Sequence, residues 1–460
     1  MVDFFESIKT YYPQLSYRIA ADYRYKKMVR EKLPDYNEKI YNVDIKSSER
    51  RERELIKAVK ISPYKGDDQS VSIKRLFRSA YTKCKNLAIE STPAYVTKEI
   101  IFSIRLRKCK EQAKKVLEEI QPISIFSYSD RTSDYLESSI LSQAKKLGIN
   151  VTLPYVANWA GEAAFKLRTD ENGKIFPEFR ASPYRSLYHF YSYFRLRTQI
   201  LNKCYLFPPY ILNAHKRNGT LSNYNWWVGN GCSDLVCVNS SYAKKTYLEN
   251  KVPREKIQIV GDAAISEIYK SYTNSKVLKD NLCEKYNLDP NLKFVILTMP
   301  QQAEQGYLNW EKHWQDVNFL VKTLSSIDIN LLISLHPRQN KNEYLFLKER
   351  FKAVIVDEPL STTIGVADLF LASNSGTMIW SILCGVPTIN FDFNLDFHLY
   401  DYLDSLIRVK DYETFNQQVK KLIFEQSQID FTTDWYELSR DIVFCTDSLK
   451  DISKRIVESI

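Results

Sequence analysis

The chain is poor in glycine, with 12 in 460 residues, so each glycine in a turn between apolar segments carries weight. Its eight cysteines form no CxxC pair, and the nearest two, Cys232 and Cys237, lack His or Cys partners at zinc spacing. That argues against a zinc site, and several of the thiols lie in apolar surroundings that suit buried free cysteine. No apolar run reaches the roughly 18 residues of a spanning helix. The opening "MVDFFESIKTYY" lacks a signal-peptide pattern, so a soluble cytoplasmic protein is expected. There is no basic tail and no nucleic-acid motif. The formal charge of +10 is a mild excess over this length, which suits anionic small molecules or an anionic membrane surface as well as nucleic acid, and the missing motif sets nucleic acid aside.

What is present is core material. Apolar residues make up 44% and aromatics 13%, enough for well-formed cores in two large domains or three smaller ones. Residues 1–100 are charged and read as surface-lying helix, with no glycine-rich loop and no repeat. Then an alternation begins. "RLRKCKEQAKKVLEEI" reads as a helix ended by Pro122, and Ile123 to Ser129 as a strand. Leu136, Ile140, Ala144 and Leu147 have helical spacing, with Gly148 placed as a C-cap, and "INVTLPYV" is the next strand. This is β-α-β grammar, which implies parallel strands.

Residues 163–226 interrupt it with a segment dense in Tyr, Phe, Arg and Lys. Two readings stand here: a helical insertion whose aromatics pack inward, and an amphipathic surface that meets a membrane or a lipid-linked acceptor. The alternation resumes with strands at Leu235 to Asn239 and Ile257 to Val260, Ser240–Ser241 capping the helix between them. A polar linker is expected from about Tyr272 to Asn291. Beyond it five strands are expected, at Phe294 to Thr298, Asn330 to Leu335, Ala353 to Val356, Ala367 to Ala372 and Pro387 to Phe391, followed by a mostly helical tail. The domains are thus 1–272, with the insertion at 163–226, then 290–430, and a tail at 431–460.

In such α/β sheets ligands bind beyond the carboxyl ends of the strands. Three segments would meet there in the second domain: "MPQQAEQG" with Gln301, then His336-Pro337-Arg338, then Ser373-Asn374-Ser375-Gly376-Thr377. A helix opening at Gly376–Thr377 would point unpaired amides and its positive dipole end at an anion. The hydroxyls of Ser373, Ser375 and Thr377 add donors, and Gly376 admits a close oxyanion. The same residues also suit an ordinary N-cap and turn. His336 and Arg338 favour the anion reading, because Arg suits bidentate phosphate contact. In the first domain the strand ends carry acids. Asp130 and then Glu162 are the candidates for a general base that deprotonates an acceptor hydroxyl, with Asp262 read as a cap of the next segment.

These residues resemble a family. "CSDLVCVNSSYAKKTYLENKVPREKIQIVGDA" and "VADLFLASNSGTMIWSILCGVPTIN" are similar to segments of GT-B glycosyltransferases. "HPR" followed by a Ser-rich turn resembles the HP and serine motifs of bacterial sialyl-, Kdo- and polyol-phosphate-transferring members. The match covers about 225–393, is weaker over 104–154, and is absent for 1–100 and the insertion. The resemblance implies an α/β fold of two facing Rossmann-like domains with a helical insertion and tail. It also implies a nucleotide-sugar as donor substrate rather than a cofactor, and a glycan or lipid-linked glycan as acceptor in surface polysaccharide synthesis. It puts phosphate contacts on His336, Ser373, Ser375 and Thr377. Many UDP-sugar members carry a ribose-holding glutamate about four residues after the Ser/Gly turn, where this chain has Ile379, Trp380 and Ser381. That departure favours a CMP- or CDP-type donor and weighs against the related UDP-N-acetylglucosamine 2-epimerases. Such enzymes generally need no metal, and no DxD cluster stands at a strand end. The alternatives are an epimerase-like sugar-nucleotide enzyme and a non-catalytic nucleotide- or glycan-binding subunit.

Overall fold

A computed structural model of the chain describes residues 19–22, 40–43, 92–131, 135–154, 176–177, 186–201, 204–262, 264–304, 308–336, 339–351, 353–394, 400, 402–425, 429–439 and 448–458. Two parallel sheets dominate. The first holds β1 (Ser124–Phe126), β2 (Asn150–Leu153), β3 (Leu235–Val238) and β4 (Ile257–Ile259) in that spatial order. The second holds β5 (Phe294–Thr298), β6 (Asn330–Ser334), β7 (Val354–Ile355), β8 (Leu369–Ala372), β9 (Thr388–Phe391) and β10 (Leu406–Val409). Its spatial order is β7-β6-β5-β8-β9-β10, all parallel. Counted from β5, that is the 3-2-1-4-5-6 order of a Rossmann sheet, whose direction of winding reverses between β5 and β8.

Burial explains these strands. "FVILT", "NLLIS" and "LFLA" are apolar almost throughout because the second sheet is covered on both faces. Val295, Leu297, Leu331, Ile333, Leu369 and Leu371 point to one core, where α8 (Trp310–Ser325) contributes Val317, Leu320 and Leu324. Phe294, Ile296, Leu332, Phe370 and Ala372 point to the other, under α6 (Ile265–Thr273) and α9 (Met378–Leu383). In the first domain α1 (Thr92–Ile120) and α2 (Tyr135–Lys146) lie side by side, and Gly148 ends α2 at φ +70 as expected. Ser240 caps α5 (Ser241–Glu249), its hydroxyl accepting the Ala243 amide at 3.1 Å.

Three expectations change. Most of the segment read as a linker is helical: α7 (Ser275–Tyr286) brings Leu282 into the second core, which α6, just ahead of it, joins through Ile265 and Ile268. The crossing between cores therefore falls at about 260–264, earlier than the expected boundary. Only Leu282 of α7 is buried, so its surface is polar enough to pass for a linker. The second sheet also has a sixth strand, β10. In the insertion the aromatics divide between buried and exposed. Between α3 (Ser186–Arg195) and α4 (Pro209–Asn218), Tyr188, Tyr205 and Leu212 are buried, while Phe190, Tyr191 and Phe194 on α3 are exposed. The tail carries α10 (Tyr412–Phe424), α11 (Thr432–Ser439) and α12 (Ser448–Val457). Among the described residues no helix is long and apolar enough to cross a membrane.

Candidate functional site

The carboxyl ends of β6, β5 and β8 lie next to one another in the second sheet, so His336, the 299–304 loop and the 373–377 loop form one edge. His336 is exposed and stands two strand spacings, about 10 Å, from the β8 loop. Between β5 and β8, at the winding reversal, Gln302 Nε2 donates to Ser373 Oγ at 3.0 Å. Thus the neighbour of the expected Gln301 makes this cross-loop contact, while Gln301 itself is half-buried beside it.

The 373–377 loop is built locally. Asn374 sits at φ +46, a left-handed conformation that Asn tolerates better than most residues. It is held there by β9. Its amide donates to Asn390 Oδ1 at 3.0 Å, and its side chain bonds Asp392 Oδ2 at 3.1 Å and Asn390 Nδ2 at 3.2 Å. Asn374 is therefore a brace of the loop, with its side chain turned to β9. Ser375 Oγ lies 2.8 Å from Thr377 Oγ1 and accepts the Thr377 amide at 3.3 Å. One hydroxyl proton of that pair is spent within it. Among the described residues the Ser375 and Gly376 amides have no acceptor, and Gly376 is exposed. Two successive free amides beside a left-handed residue form a small concavity of the kind that binds an oxyanion. The helix behind it, α9, has only six residues, so its dipole adds less than the sequence suggests.

The first domain reaches this edge through its own strand ends. Tyr242, on α5 after β3, stacks on Tyr402 at 4.4 Å between ring centroids. Asp262, after β4, accepts the Trp380 indole N–H at 3.3 Å and the Ala264 amide at 2.9 Å. Asp262 thus forms a turn ahead of α6, whose N-cap is Ala264 with no side-chain bond, and also joins the two domains beside the 373–377 loop.

The expected general base is a different matter. Asp130 is buried, and its carboxylate accepts from Gly229 N at 2.7 Å, Gly231 N at 2.8 Å, Ser233 N at 3.3 Å and Ser233 Oγ at 2.5 Å. A buried carboxylate bonded by four donors is a hub for the 229–233 loop. That places Asp130 in a structural role and corrects the expectation of a base. Its donors lie about a hundred positions away in the chain, so no local signal reveals them. Glu162 and Arg338 lie outside the described residues. Among the described residues no group of His, Cys, Asp and Glu is arranged to hold a metal ion.

No protein-family description matches the chain, and no curated protein matches it. Among solved structures it is similar to a UDP-GlcNAc 2-epimerase from Neisseria meningitidis bound to UDP-GlcNAc, at 11% identity, covering 100% of this chain and 95% of that one, with a TM-score of 0.47. It is similar to a glycosyltransferase from Rickettsia africae at 12% identity, covering 96% and 98%, with a TM-score of 0.42. It is also similar to the wall teichoic acid polymerase TagF at 14% identity, covering 49% and 59%, with a TM-score of 0.37.

Proposed function

We propose that this protein is a glycosyltransferase that holds a nucleotide-sugar donor at the reversal point of the second sheet and transfers the sugar to a glycan in surface polysaccharide synthesis. The observation that carries the proposal is the pair of acceptor-free amides at Ser375 and Gly376, flanked by the Ser373 and Thr377 hydroxyls, at the β5–β8 crevice. Donors fixed in a loop stabilise the charge that grows on a departing phosphate without reorganising. His336, about two strand spacings away, suits the other end of a phosphate or diphosphate.

Both an epimerase and transferases occur among similar structures, so the choice rests on the residues. Ile379, Trp380 and Ser381 offer no ribose-holding acid, which supports a CMP- or CDP-type donor over a UDP-sugar. Glu162 is the proposed general base for the acceptor hydroxyl. The exposed Phe190, Tyr191 and Phe194, with Arg195 and Lys216 nearby in the same insertion, support a lipid-linked acceptor and peripheral contact with a membrane.

A thermal-shift screen against CMP, CDP, UDP and GDP tests the donor. Stabilisation by the cytidine nucleotides is expected, and its loss in His336→Ala. Stabilisation by UDP alone overturns the cytidine assignment, and no stabilisation by any of the four overturns nucleotide binding. Conversion of a UDP-sugar to its epimer without an acceptor would show the epimerase activity instead. Turnover by Glu162→Gln at the wild-type rate would remove Glu162 as the base.

A further inference from the structure

Gln339 closes the turn that His336 opens. Its amide donates to the His336 carbonyl at 2.8 Å, and its side-chain Oε1 accepts the His336 amide at 2.9 Å. Nε2 points the other way, to the Pro300 carbonyl at 3.2 Å, Glu304 Oε1 at 2.9 Å and the Tyr344 hydroxyl at 2.9 Å. The residue is buried, so these contacts are shielded from water. One side chain therefore spans the loops of two adjacent strands, β6 and β5.

The partners fix which way the Gln339 amide faces. A glutamine's oxygen and nitrogen are assigned from their partners. Here Oε1 must face the His336 N–H, because the other end meets a carbonyl and a carboxylate that only accept. The Tyr344 hydroxyl has one proton, which goes to Glu304 Oε1 at 3.0 Å. Its oxygen then accepts from His313 Nε2, 3.1 Å away, and shares the two protons of Gln339 Nε2 with Pro300 and Glu304. With that direction the His313 proton sits on Nε2 and Nδ1 has no partner among the described residues. Burial lowers the His313 pKa, which favours the neutral ring.

We infer that Gln339 is a positioning residue of the nucleotide edge: it holds the His336 backbone in register with the 300–304 loop and, through the Gln302–Ser373 bond, with the 373–377 loop. The inference rests on the nucleotide-binding reading above. It explains how the backbone that carries an exposed imidazole keeps its place.

Two variants test it, with the nucleotide that stabilises the wild type as probe. Gln339→Ala removes both ends of the brace, and its affinity should fall on the order of tenfold or more. The His336 amide should also exchange its hydrogen faster in this variant. Gln339→Glu places a second carboxylate beside Glu304, with Tyr344, neutral His313 and His336 as the other titratable groups facing the position. Two carboxylates this close share a proton as pH falls, and the protonated acid restores a donor to Glu304. Relative to wild type at the same pH, Gln339→Glu should therefore bind weakly at pH 8 and recover toward pH 5. A mere packing role would show no such recovery. Wild-type affinity in Gln339→Ala, or a Gln339→Glu deficit that does not change with pH, overturns the inference. If Gln339→Ala does not fold, the pH response of Gln339→Glu decides. If the wild type binds none of the four nucleotides, the nucleotide reading fails and this role fails with it, even where His336 exchange still responds to Gln339→Ala.

Discussion

Replacing Asp130 separates a structural carboxylate from a catalytic one. In Asp130→Ala the amides of Gly229, Gly231 and Ser233 and the Ser233 hydroxyl lose their acceptor inside a buried loop. Each buried donor left unmade costs about 1–3 kcal/mol. The four share one partner, so their costs do not add, and water will reach some of them. A loss of about 3–5 kcal/mol is expected, as for removal of one partner from a buried charged network. Asp130→Asn is milder. Oδ2 accepts three bonds and Oδ1 one, so the new amide should turn its NH2 toward Gly229. One hydrogen bond is then replaced by a donor-to-donor contact, for about 1–2 kcal/mol. Urea unfolding followed by tryptophan fluorescence measures both, since Trp226 and Trp227 are buried in the preceding turn. An Asp130→Ala protein with an unchanged midpoint and no turnover would refute the hub and restore the base.

Two further outcomes can be checked directly. Burial pushes the His215 pKa down to about 3, below the roughly 6.5 of an unfolded histidine. Between those values the unfolded chain takes up a proton that the folded one refuses, so this contribution to stability is full above pH 6.5 and is lost as pH falls. The slope is about 1.4 kcal/mol per pH unit, and urea midpoints between pH 7 and 5 should flatten by that amount in His215→Asn; an unaltered slope would refute it. In Gly376→Ala, the added Cβ would meet only the Tyr400 hydroxyl, at an ordinary 3.6 Å. The melting temperature should hold while nucleotide affinity falls, because the Cβ crowds an oxyanion on the amides, and unchanged affinity would show that no phosphate comes close to Gly376.

The parts of the fold that were legible are those where burial is two-sided. β5, β6, β8 and β9 read as strands because both faces of the second sheet are covered, leaving unbroken apolar runs. β10 was not legible. It is an edge strand that carries Arg408, which donates to the Tyr400 carbonyl at 3.0 Å, so its sequence "LIRV" lacks that signature. α7 was misread for the opposite reason, since a helix packed by one narrow stripe shows mostly polar surface. The strand order was out of reach altogether, because the β5–β8 pairing joins residues more than seventy positions apart.

The site was legible in its location and less so in its physics. A Ser-rich turn after a strand and a histidine ending another are local patterns, and the sheet brings both to one edge. The supporting groups are not local. Asn374 is held by Asn390 and Asp392 on β9, and His336 by Gln339, which bonds Pro300 and Glu304 in another loop. This moves the source of anion affinity. A helix opening after "SNSG" suggests a dipole, but a helix of six residues supplies little of one. The Ser375 and Thr377 hydroxyls partly satisfy each other. What is left to meet a phosphate is the Ser375 and Gly376 amides, and their direction depends on Asn374 staying at positive φ. On the proposed reading, the affinity of the turn is therefore set by the β9 residues that brace Asn374, which carry no phosphate-binding signature of their own.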